Sequence, residues 1–122
     1  MIVEKQTPLY EIQSIAAGAT YQWDLVNAQS VSIFIRNGGG VAGTVSIFGM
    51  SPAGAVLWQI ANVVAVAVGA NMGVQLSANP SYAAAAPDAA AGAVSAFLAL
   101  PPSIQINAAG SQMTCHVVIR ER

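Results

Sequence analysis

Between Ser30 and Met50 the residue type switches at every second position. Val31, Ile33 and Ile35 alternate with Ser30, Ser32, Phe34 and Arg36, and Val45 and Ile47 alternate with Thr44, Ser46, Phe48 and Met50. A period of two is the signature of a β-strand with two unlike faces, and it excludes an amphipathic helix over the same residues. The two runs flank Asn37-Gly38-Gly39-Gly40, where glycine accepts positive φ without strain. The expectation is a β-hairpin with an aliphatic inner face. Its other face mixes Ser, Thr and Arg with Phe34, Phe48 and Met50, which are too apolar for a face meant only for water.

Similar short runs fill the chain. Leu9 to Ile15 reads as a strand with Tyr10 and Ile12 inward and Glu11 and Gln13 outward. Thr20 to Leu25 directs Tyr21, Trp23 and Leu25 inward. Val56 to Asn62 carries Trp58 and Ile60 on one face. Val63 to Val68 is a second strand or a continuation past a bulge. Met72 to Ala78, Ala93 to Leu100, Ser103 to Asn107 and Met113 to Glu121 complete the set, with turn signals at 16–19, 51–54, 69–71 and 108–111. Short strands with turns every 8–12 residues predict an all-β fold: an antiparallel β-sandwich or jelly-roll-like barrel of about eight or nine strands. With 122 residues, one domain is expected, residues 9–122, preceded by an N-terminal arm, 1–8, that ends at Pro8. The arm, with Ile2 and Val3 at its tip, reads equally as a frayed end or as a grip on a neighbouring subunit. Residues 79–92, NPSYAAAAPDAAAG, are expected to form an extended Ala-rich loop.

Charge narrows the function classes. Charged residues are 7% of the chain and the net charge is −1, against about 25% charged in ordinary soluble domains. None occurs from Asn37 through Pro87 or from Ala89 through Ile119. Such a surface has little electrostatic protection against association, so cover by other subunits is expected. Four basic residues cannot build a nucleic-acid face. The apolar run Ile60 to Leu76 contains Asn62, Asn71 and Gln75 and breaks into strands, so no membrane span is expected. MIVEKQTPLY has no apolar core of a signal peptide.

No reaction chemistry converges. His116 and Cys115 are adjacent on a strand and so face opposite ways, which disfavours a nucleophile pair or a metal site. Glu11 and Asp24 are the acids most able to approach each other, both on solvent-side positions. NGGG lacks the Lys-Ser or Lys-Thr of a phosphate loop. Trp23 and Trp58 are assigned to the core rather than to a sugar platform. No catalytic, metal or cofactor residues are predicted, and no enzyme. Ile2, Val3, Phe34, Phe48 and Met50 are the candidate interface residues. On paired strands Phe34, Phe48 and Met50 would form one patch, unless loop 79–92 folds over them.

The order of an apolar-tipped arm, AGATYQWDL, SVSIFIRNGGGVAGTVSIFG and a closing PPSIQINAAGSQMTCHVVIRER resembles the small β-sandwich and jelly-roll proteins of virus particles, in particular decoration or cement proteins of tailed bacteriophages. That resemblance implies a structural virion protein made in the host cytoplasm. It also implies homo-oligomers, trimers above all, that bind a major capsid protein or other virion protein. The alternative is a carbohydrate-binding or attachment module of a tail or fibre, with Tyr82 or Trp58 as the aromatic contact.

Overall fold

The computed structural model describes residues 9–25, 27–77 and 88–121. Among them are eight strands and no helix: β1 (Leu9–Ile15), β2 (Thr20–Asp24), β3 (Ala28–Asn37), β4 (Gly43–Met50), β5 (Val56–Val66), β6 (Asn71–Ser77), β7 (Ser103–Ala109) and β8 (Met113–Glu121). They form two four-stranded sheets, ordered β1-β8-β3-β6 (sheet 1) and β2-β7-β4-β5 (sheet 2), and every pairing is antiparallel. First pairs with last, second with seventh, third with sixth and fourth with fifth. This nested order is that of a jelly roll, a sandwich of two sheets.

The aliphatic stripes meet between the sheets. Val31, Ile33 and Ile35 of β3 and Val117 of β8 face Val45 and Ile47 of β4 and Ile104 and Ile106 of β7, all essentially without solvent exposure. Each such side chain contributes roughly 1.5–3 kcal/mol by leaving water. Trp23 and Trp58 lie in the core as expected. Sheets approach closely where the chain crosses over. At Gly43 an added Cβ would lie 2.7 Å from the Ala109 carbonyl oxygen and 2.8 Å from Met113 Cε, so only glycine fits.

Three expectations are corrected. Residues 30–50 are not a hairpin: β3 pairs with β6 and β8, while β4 pairs with β5 and β7. The glycines at 38–40 carry the chain from one sheet to the other. On β1 the faces are reversed. Tyr10 and Ile12 are each 53% exposed, and Glu11 and Gln13 are half-buried. The buried Ile15 shares their parity, and Trp23 Nε1 donates to Glu11 Oε2 at 2.8 Å. A buried indole N–H needs an acceptor, and the carboxylate supplies it across the open edge of the sandwich. Third, residues 93–100 are an irregular strap with two isolated bridges, Ala61–Val94 and Ser77–Ala99, rather than a strand.

The strap closes the opposite edge. Asn62 N donates to Ala93 O, Ser95 N to Ile60 O, Ser77 N to Leu98 O and Leu100 N to Ser77 O. It thereby satisfies the outer backbone groups of edge strands β5 and β6, which would otherwise invite foreign strands. β5 is one strand that continues past a bulge. Its register on β4 shifts between Val45 and Ile47, and Val63 there has φ +47°. Arm residues Ile2 and Val3, and residues 79–87 of the Ala-rich loop with Tyr82, lie outside the described residues.

Candidate functional site

Strand registry fixes what each sheet shows to the outside. On sheet 1, Ile12, His116, Phe34 and Gly73 form one row across β1, β8, β3 and β6, with Tyr10, Val118, Ser32 and Gln75 in the next. Phe34, like Tyr10 and Ile12, is 53% exposed. These three side chains and half-buried Val118 surround His116, whose Nδ1 shares a hydrogen bond with the Tyr10 hydroxyl, the ring centroids lying 5.9 Å apart. Arg36 and Arg120 stand at opposite ends of this apolar centre. None of the outward positions on the four strands is Asp or Glu.

Sheet 2 shows a different face. Gln22, Gln105, Phe48 and Gln59 form a row across β2, β7, β4 and β5, and Thr20, Asn107 and Ser46 form the next. Its outward positions carry no Lys or Arg. Its charges are Asp24 on β2 and, along the outer edge of β5 ahead of the strap, Asp88, whose Oδ1 accepts from Gln59 N at 2.8 Å. Several of its polar side chains pair within the face: Thr20 Oγ1 donates to Asn107 Oδ1 and Gln22 Nε2 to Ser103 Oγ, both at 2.8 Å. At one end an open cleft of ≈ 380 Å³ is lined by Gln22, Asp24, Ser51, Pro52, Pro102 and Ser103. It offers a single titratable group, so it presents no acid–base pair of its own.

The expected patch of Phe34, Phe48 and Met50 does not exist. Phe34 and Phe48 lie on opposite outer faces because their strands belong to different sheets. Phe48 is half-buried in the amide row, and Met50 is 5% exposed, so Met50 presents no surface to a partner. The readable signal is Ile15, whose parity turns Tyr10 and Ile12 to the outer face that also carries Phe34.

The acids and the thiol stay apart. Glu11 is committed to Trp23 at the sheet edge, while Asp24 faces outward. Cys115 is fully buried, and burial pushes its thiol pKa up to about 12, so it is a packing residue and not a nucleophile. Among the described residues no group of three His, Cys, Asp or Glu side chains could hold a metal ion. Trp58 Nε1 is buried without an acceptor among the described residues.

No family model and no curated protein matches this sequence. Among solved structures, the chain is similar to a protein of Bacillus endospore appendages, described as a novel family of disulfide-linked pili. The two are 14% identical over 98% of this chain and 93% of that one, with a TM-score of 0.42.

Proposed function

We propose that this chain is a structural subunit that works by packing against other protein surfaces. The observation that carries the reading is the apolar centre of sheet 1. Tyr10, Ile12 and Phe34, all more than half exposed, flank His116 and Val118 on one face of a chain that is 7% charged. Contiguous apolar surface rimmed by polar residues marks an interaction site, and aromatic residues dominate the energetics of such sites. The finer setting we propose is a virion, where the chain would decorate a shell as a homo-oligomer on a capsid protein. That setting is supported by the jelly-roll strand order together with the sequence pattern noted above.

Sedimentation at micromolar concentration tests the coarse reading. The expected result is a stable oligomer. In the Ile12→Ser/Phe34→Ser variant, association weakens by about tenfold or more while the melting temperature stays within a few degrees. A monodisperse wild-type monomer, or a variant that associates like wild type, would count against the reading. Immunogold labelling of particles from the producing host tests the virion setting.

A further inference from the structure

Resting on that reading, we infer that copies of the chain associate head to tail, the outer face of sheet 1 on one copy against the outer face of sheet 2 on the next. The two faces are opposite in sign. The outward positions of sheet 1 carry Arg36 and Arg120 and no carboxylate, Glu11 and the terminal Glu121 having the inward parity of their strands, and sheet 2 with the segment along its β5 edge carries Asp24 and Asp88 with no cation. Sheet 1 against its own copy would bring only cations together, and sheet 2 against its own copy only carboxylates. Like charges across an interface suppress that pairing, and the unlike combination is favoured.

The uncharged chemistry agrees. The apolar centre of sheet 1 meets a face whose middle is Phe48. Beside Phe48 stands Gln105, half-buried, whose amide has no side-chain partner among the described residues and can pair with the Ser, Thr and Gln side chains around the sheet 1 centre. Spacing also agrees. Arg36 lies six residues along β3 from Ser30, the partner of Arg120, which is about 20 Å along the strands. Asp24 on β2 and Asp88 beside the outer edge of β5 are four strand spacings apart, about 19 Å across the strands. Matching the two pairs requires the strands of facing sheets to cross at a steep angle, the orthogonal mode of sheet packing. Because the contact joins unlike faces it leaves one of each free, so copies add into a ring or an open fibre.

Two variants test this in sedimentation at low ionic strength: Arg36→Glu/Arg120→Glu, and Asp24→Lys/Asp88→Lys. The wild type should assemble, and less so as salt rises. Each variant alone should lose about tenfold or more in association. An equimolar mixture should recover assemblies of wild-type size, because each variant then meets a complementary face on the other. Asp24→Asn/Asp88→Asn, which removes charge with little change of shape, should also weaken association and guards against misfolding in the Lys variant. Salt-insensitive assembly, variants that assemble alone like wild type, or a mixture that stops at heterodimers would overturn the head-to-tail arrangement and leave self-association standing. A monomeric wild type would overturn both.

Discussion

Asn37 shows how much one side chain can hold. It is the last residue of β3 and is 1% exposed. Its Nδ2 donates to Val41 O at 2.8 Å and Val66 O at 2.9 Å, and its Oδ1 accepts from Gly39 N at 3.0 Å and Ser111 Oγ at 2.9 Å. Both donors and both acceptor sites of the amide are used, and they join three connections at one end of the sandwich. Asn37→Ala leaves these buried groups unpaired, each worth about 1–3 kcal/mol. The expected loss is about 3 kcal/mol, read as a drop of roughly 10–15 °C in melting temperature. Asn37→Asp should be worse, since it offers no donor to the two carbonyls. In the sequence Asn37 reads only as a turn residue, because its partners are set by folding rather than by neighbourhood. Cys115 gives a second residue-scale prediction. Its folded pKa, pushed by burial to about 12, lies above the ordinary thiol value of 9.0, so the unfolded chain ionises first and holds fewer protons above pH 9. The thiol's contribution is complete below pH 9 and falls as pH rises from 9 towards 12, by at most about 1.4 kcal/mol per unit. Urea melts should show that decline in wild type and lack it in Cys115→Ala. Alkylation at pH 8 should label only unfolded protein.

At the scale of elements, most strands were legible and their partners were not. Alternation in β3, β4, β7 and β8 places the inner residues correctly, since the aliphatic stripes are unbroken. Pairing failed at residues 30–50 because a glycine-rich link suits a hairpin and an inter-sheet crossover equally well. Which is formed depends on β5 to β8, far along the chain. β1 misled because an edge strand tolerates Glu11 on its inner side once Trp23 supplies a donor. That single inversion hid Tyr10 and Ile12, and so most of the candidate interface. Phe48 and Met50 were grouped with Phe34 only through the assumed hairpin. The bulge in β5 carries its own test. Val63 sits at φ +47° with its side chain 53% exposed, and its N donates to Ser46 Oγ at 3.1 Å. A β-branched residue in the left-handed region costs about 1–2 kcal/mol, and little burial is lost by replacing it. Val63→Asn or Val63→Gly should therefore stabilise by about 1 kcal/mol. The change should be visible as a higher urea midpoint with an unchanged slope. A lower midpoint would show that the strand needs Val63 for packing.

For the whole molecule, the nested pairing sets an order of assembly. Among the described strands only β4 and β5 pair across a short turn, residues 51–55, where Gly54 N donates to Ser51 O, Ser51 N to Ala55 O and Ala55 N to Ser51 Oγ. β3 and β6 must close over residues 38–70, β2 and β7 over 25–102, and β1 and β8 over 16–112. Closure entropy rises with the length of unfixed chain. Forming the inner pair first shortens every loop outside it, so pairing should spread outward from β4–β5. Folding on the scale of milliseconds to seconds is expected for a topology so dominated by distant contacts. Ile47→Val or Ile60→Val in the inner pair should slow folding, with φ of about 0.5 or more, whereas Val117→Ala or Ile119→Val in β8 should mainly speed unfolding, with φ near 0–0.3. Chevron plots of the four variants decide it. Equal φ in β8 and β4 would mean that the sandwich closes from both edges together, and the nested order would then describe the native pairing without describing the path to it.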